Sequence, residues 1–429
     1  MNRNFMPTFK TKEELADLQL AGLKWTVRHA WEGSPFYRKR LTEVSVTPDQ
    51  IQSLDDLKRL PFVTADALRE QYPWPLLSVP MAHIVRLHAS TGTTGKRKVL
   101  VYTDKDIDDW TNMFARCYET AGLSCEDRVQ ICVGYGVWTA GAGFQLGCER
   151  FGALAIPAGP GNIDMQIQFL IDFQTTVLCC TASMALLLAE EIDKRALRDK
   201  IHVKKVIFGA ERSSDAMRTK VKSLTGADHV FDIPGLTELY GPGTGLDCPF
   251  HRGIHYWADY YILEIIDPNT LEPVKEGEVG EMVYTTLRKE GAPLIRYRSR
   301  DLTRSIPGEC LCGSPLPRHD RIVGRSDDMF IVRGVNIYPS HIDEILSREK
   351  GIGSEFQIYL DHHGDGKDYM VLKVEREDDG GPEEDAVLAA RIERAVRKET
   401  LVSGHVEIVD YQSLPRTERK TKRVFDNRT

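Results

Sequence analysis

The sequence predicts an α/β fold. It has a large N-terminal domain of parallel-sheet αβ layers with a small β subdomain, and a small α+β C-terminal domain joined by a hinge. Three observations carry this. From about residue 80 to 233, short and nearly continuous apolar runs alternate with helical stretches, as strands covered on both faces require. Residues 260–304 break the alternation with two β runs joined through Asp267-Pro268-Asn269. After the polar, pattern-free stretch Gly324-Arg325-Ser326-Asp327-Asp328, the remainder reads as helix, two strands, helix, strand. The expected domains are therefore 1–326 and 327–429.

Taken in order, the first 75 residues are polar and helical, with Leu15, Leu18, Leu20 and Trp25 at helix-like spacing. The apolar run 84–89 reads as a strand, 99–102 as another, and 104–121 as a helix entered at Thr103. Strands at 129–133, 154–157, 176–180, 203–208 and 229–233 then alternate with helices ending near 150, 173, 198 and 224. The β subdomain has strands at 261–266 and 280–286. The last part has helices at 340–348 and 383–401, and strands at 356–360, 369–374 and 406–409.

At 429 residues the chain is long enough for a sizeable core, and its 28% charged residues describe an ordinary globular protein. A net charge of -7 gives no sign of general nucleic-acid affinity, although basic stretches still suit small anions. The first 20 residues lack the apolar core of a secretory signal, and no segment has the apolar length to cross a bilayer. The expectation is a cytoplasmic protein with no membrane partner. Nine cysteines are an odd number, too sparse for a disulfide framework; Cys132, Cys179 and Cys180 sit in apolar runs and read as core residues.

Thr91-Gly92-Thr93-Thr94-Gly95-Lys96 follows the first apolar run. Such a turn lets backbone N–H groups and threonine hydroxyls converge on phosphate, though alone it also suits a flexible connector. It is no Walker loop, because two residues separate Gly92 from Gly95 and no Ser or Thr follows Lys96. Gly134-Tyr135-Gly136, Gly209-Ala210-Glu211 and Gly235-Leu236-Thr237-Glu238 all follow strands, where ligands of open α/β sheets bind. Cys248-x-x-His251 and Cys310-x-Cys312 have ligand-like spacings and suggest a tetrahedral structural Zn²⁺ site, with His255 as the substitute for His251.

In order along the chain, segments 90–95, 134–139, 209–211, 232–238, 297–301, 324–328, 333–336 and 414–423 resemble the adenylate-forming enzymes, most closely the phenylacetate–CoA ligase branch. The resemblance implies that a carboxylate attacks the α-phosphate of ATP to give an acyl-adenylate and pyrophosphate. A thiol, normally that of coenzyme A, then displaces AMP. It implies that Ser90, Thr91, Gly92, Thr93, Thr94 and Gly95 cradle the β- and γ-phosphates. Gly209, Ala210, Glu211, Asp232, Ile233 and Thr237 border the nucleotide, and Glu238 binds Mg²⁺. Asp301 accepts the ribose hydroxyls, Arg325 holds ribose or α-phosphate oxygens, and Lys420 neutralises charge building at the α-phosphorus.

The family rotates its small domain about a hinge that maps to Asp327. The rotation withdraws the lysine and brings Arg333 and Gly334 to the thiol channel. Tyr135, Val137, Trp138, Gly141, Gly209, Ile233 and Pro234 map to the acyl pocket, where aromatic and small apolar types suit an uncharged aryl ring. The branch also implies a homodimer. Three positions depart from the family pattern: Arg97 and Arg419 replace the usual Pro and Gly, and Pro234 replaces a Tyr that stacks on adenine. A related activity within the same superfamily transfers AMP to a deazaflavin hydroxyl or to another acceptor.

Overall fold

The computed structural model describes residues 4–90, 96–211, 213–362, 368–377, 382–411, 413–415 and 423–428. At its centre, five parallel strands lie in the order Leu154–Ile156, Arg128–Ile131, Val177–Thr181, Lys205–Gly209 and His229–Ile233. The first strand in sequence, Arg128–Ile131, thus has its successors on both sides. The order reverses there, which opens a crevice at its carboxyl end.

Alternate residues of these strands feed two cores. Val129, Ile131, Cys179, Ile207 and Phe231 pack on one face, and Leu178, Cys180, Val206, Phe208 and Val230 on the other. Helices Asp104–Thr120 and Ala140–Phe151 cover the first face, and Ala182–Lys194 and Asp215–Thr225 the second. Thr103 caps the first of these helices by accepting from Asp106 N–H, and Asp106 returns the bond. Gly143 and Gly147 let the next helix meet Phe114, which a Cβ would approach to 2.3 and 2.2 Å.

The β subdomain is larger than the sequence predicts. Tyr261–Ile266 and Gly280–Thr286 continue into Tyr297–Thr303 and Gly324–Arg325, all antiparallel. A second four-stranded sheet joins Gly245–Asp247, Ile254–Tyr256, Arg318–His319 and Ser305–Ile306. At the N-terminus, helix Lys12–Gly33 is followed by Pro35–Glu43 and Ala65–Glu70, within the stretch the sequence reads as helical. Pro35–Glu43 buries only Tyr37 and Leu41, too few for an apolar period to show.

The C-terminal part has its own core. Strands Ile352–His362 and Asp368–Arg376 pair antiparallel, His405–Val409 and Val424–Asp426 add parallel edges, and helices Pro339–Ser347 and Pro382–Thr400 pack on the sheet. Gly324–Arg325 still belongs to the antiparallel sheet of the β subdomain, whereas Phe330 and Val332 belong to the small core.

Candidate active site

Strands Arg86–Ala89 and Val99–Tyr102 form an antiparallel hairpin whose connection carries the glycine-threonine loop. Thr91, Gly92, Thr93, Thr94 and Gly95 lie outside the described residues, as does Lys420. The base of the loop is closed by Ser90 N–H donating to Lys98 O at 2.9 Å and Lys98 N–H to Ser90 Oγ at 3.3 Å. The same strand holds the loop after Ile131: Ala89 N–H donates to Val137 O at 2.8 Å, and His88 Nδ1 lies 3.2 Å from that oxygen. His88 is buried against Tyr102 and Trp110, and burial lowers its pKa to about 4, so the ring is neutral.

Lys98 turns its ammonium onto Glu238, forming an ion pair. Tyr297 Oη donates to the same carboxylate oxygen at 2.8 Å. Burial opposes charge on Glu238, but Lys98 and Tyr297 outweigh it and hold the carboxyl below its usual range. Beneath it, the fully buried Lys289 donates to Glu238 O at 3.0 Å and Leu239 O at 2.8 Å. Its ammonium sits 4.7 and 4.9 Å from the ring centroids of Tyr102 and Tyr240, and burial lowers its pKa to about 8. Tyr102 Oη in turn donates to Thr237 O at 3.1 Å. Neither Lys98 nor Lys289 stands out in the sequence as a site residue. Lys98 at least closes the loop; Lys289, between Arg288 and Glu290, reads as a surface lysine.

Tyr297 and Asp301 lie four residues apart on one strand, within about 13 Å. A bulge, with Arg300 at φ 71°, re-aims the strand between them. Asp301 faces Arg325 across the ladder, and Arg325 Nη1 reaches Asp301 Oδ1 at 3.0 Å. The rest of the guanidinium grips Asp327 at 2.9 and 3.0 Å. Burial works against the Arg325 charge, yet these carboxylates raise its pKa further. Arg333, at φ 51°, and Gly334 form the tip of a hairpin in the small domain, where Arg333 N–H donates to Asp368 Oδ2 at 3.2 Å.

At the sheet's carboxyl edge, Gly209 pairs beside Ile233, and a Cβ on Gly209 would meet Ile233 O at 2.2 Å. Ala210 follows at φ 70° and aims Glu211 at the start of the neighbouring helix, where Ser183 N–H donates to its carboxylate at 2.7 Å. Asp232 lies 3.8 Å from Arg218, and burial pushes its pKa up to about 6. Pro234 O accepts from Gly243 N–H at 3.1 Å. Tyr135 packs against Gly141, where a Cβ would come within 2.7 Å of its ring, and Trp138 lies 3.1 Å from the Cβ position of Gly134.

The structure corrects the metal set. The ligand atoms of Cys248, His255, Cys310 and Cys312 all lie within 4.8 Å of one another. His255 Nε2 is 3.3 Å from Cys312 Sγ, and its Nδ1 is 3.2 Å from Leu316 O, which fixes the ring. His251 is not part of the cluster. It sits in a tight turn at φ 50°, with Nδ1 2.6 Å from Asp247 Oδ2 and Nε2 3.3 Å from His229 Nδ1. His255 lies instead on the strand paired with Gly245–Asp247.

This combination of fold and site agrees with the comparisons. The family described as AMP-binding enzyme matches residues 44–286, and its C-terminal domain matches 334–428. The phenylacetate–coenzyme A ligase of Escherichia coli (strain K12) is 39% identical over 97% of this chain and 95% of its own length. Among solved structures, 2-hydroxyisobutyryl-CoA ligase in its postadenylation state superposes with a TM-score of 0.90 at 28% identity, over 97% of this chain and 90% of that one. The same ligase in its thioester-forming state gives 0.70 at 29% identity, over 99% and 91%. The chain belongs to the AMP-binding, adenylate-forming enzymes, within their phenylacetate–CoA ligase branch. No helix among the described residues is long and apolar enough to cross a membrane.

Proposed function

We propose that the chain activates phenylacetate, or a close aryl or arylacetic acid, with ATP and passes the acyl group to coenzyme A. Substrate carboxylate oxygen bonds to the α-phosphorus as pyrophosphate leaves. The coenzyme A thiolate then attacks the acyl carbon, and AMP departs with that oxygen. One observation carries the reading: Glu238, held by Lys98 and Tyr297, and the Asp301–Arg325 pair are linked by one strand. The spacing of about 13 Å or less suits the metal-bound phosphates at one end of a nucleotide and its ribose at the other.

In this reading the loop 90–95 cradles the leaving pyrophosphate, with Glu238 binding Mg²⁺ through a hard carboxylate oxygen. Asp301 accepts the ribose hydroxyls and Lys420 steadies the α-phosphate. Gly209, Ala210, Glu211, Asp232, Ile233, Pro234 and Thr237 border adenine and the acyl group. Tyr135, Val137, Trp138 and Gly141 form an uncharged slot for the ring. Rotation about Asp327 brings Arg333 and Gly334 to the thiol, making 327–429 a lid. The three cysteines and His255 fit structural Zn²⁺, because four protein ligands leave no open position for chemistry. ATP and coenzyme A as co-substrates favour a cytoplasmic setting.

The test is incubation with ATP, Mg²⁺ and a panel of aryl acids, with and without coenzyme A. Thioester that forms only with coenzyme A, alongside AMP and pyrophosphate, is expected. Transfer of AMP to another acceptor, or no pyrophosphate from any acid, would overturn the reading.

A further inference from the structure

Tyr411 lies just past strand His405–Val409 in the small domain, yet its hydroxyl donates to Glu190 Oε1 in the large domain at 3.0 Å. Glu190 sits on helix Ala182–Lys194, with its side chain 7% exposed. Lys220, on the adjacent helix Asp215–Thr225, reaches the same oxygen at 3.1 Å, and its ammonium lies 5.5 Å from the Tyr411 ring centroid. Burial works against the Lys220 charge, but Glu190 and Tyr411 more than offset it and raise its pKa. Tyr411 is also tied to its own domain. Asp410 pairs with Arg376, and Leu414 N–H donates to the fully buried Glu375 at 2.7 Å.

We propose that Tyr411 is a positioning residue: its contact with Glu190 and Lys220 docks the small domain for adenylation and must break before the thioester forms. This inference rests on the two-step ligase reading. Two independent observations support it. Tyr411 precedes the segment carrying Lys420, so anchoring it fixes where that segment begins. The whole chain also superposes better on the related ligase in its postadenylation state than in its thioester-forming state. One short contact between two bodies cannot survive a large rotation of one of them.

The test uses full-length Tyr411→Phe and Glu190→Gln. Phenylacetate-dependent pyrophosphate release should fall about tenfold, the size of one lost hydrogen bond to a charged group. Thioester formation from pre-made phenylacetyl-adenylate and coenzyme A should stay unchanged or rise. Equal loss in both half-reactions, or no loss in either, would overturn the role. Small-angle scattering of the unliganded proteins gives a readout that needs no activity. Wild type should fit the docked arrangement and Tyr411→Phe should depart from it; identical curves would overturn the latch. Wild-type protein making no acyl-adenylate would sink the ligase reading instead, and scattering would still decide the latch.

Discussion

Lys98 and Glu238 meet as an ion pair at the base of the loop 90–98, with only 4% of the Glu238 side chain exposed. A carboxylate this deep needs a cation beside it, and Lys98 supplies one where the proposed Mg²⁺ would bind. Lys98→Met leaves that charge with Tyr297 alone. Without nucleotide the variant should lose about 3 kcal/mol of stability, with MgATP restoring part of it. Urea unfolding with and without MgATP measures both. An unchanged midpoint in the absence of nucleotide would show that the pair does not stabilise the fold.

Lys289 should reveal itself through pH. Its pKa is lowered to about 8 from 10.5, so between these values the unfolded chain holds a proton that the folded chain has released. Stability therefore rises with pH across that window, by up to roughly 3 kcal/mol when the window is complete. The difference in unfolding free energy between wild type and Lys289→Met should shift in favour of wild type from pH 8 to 10. A shift in the opposite direction would mean that the ammonium is stabilised by its surroundings, not strained by them.

Asp327 is gripped by Arg325 in this arrangement. If it is the hinge, Asp327→Pro fixes φ and resists rotation. Pyrophosphate release should persist while thioester formation drops at least tenfold. Half-reaction assays that fall in parallel would reject the hinge.

The cysteine–histidine cluster separates two histidines sharply. Protein made without chelator should carry one zinc ion per chain. Cys312→Ser and His255→Ala should lose most of it, and His251→Ala should keep it. Metal analysis by mass spectrometry checks all three; zinc lost with His251→Ala would restore the ligand set expected from spacing.

What was legible in the sequence follows from where the signals reside. Val177–Thr181 reads correctly because a strand buried on both faces is apolar almost throughout. Tyr297–Thr303 does not read as a strand, because Arg298, Arg300 and Asp301 interrupt it. Their partners Glu281 and Arg325 arrive only with the fold. The helix expected to end near 198 stops earlier, since the chain leaves Ala182–Lys194 and reaches Ala196 at φ 52°. Spacing favours His251, but a tight turn aims that ring at Asp247 and strand pairing delivers His255. Lys289 and Tyr411 carry no local signal, because burial among Tyr102 and Tyr240, and contact between domains, are properties of the assembled chain.

Activation of the acid as its adenylate leaves an isotopic trace. Phenylacetate labelled with ¹⁸O in both carboxylate positions, turned over with ATP, Mg²⁺ and coenzyme A, reveals it. Attack on the α-phosphorus leaves one carboxylate oxygen on AMP when the thiolate displaces it, so mass spectrometry of AMP should show a single ¹⁸O per thioester formed. AMP free of label, alongside phenylacetyl thioester, would mean that the acid is not activated through its adenylate.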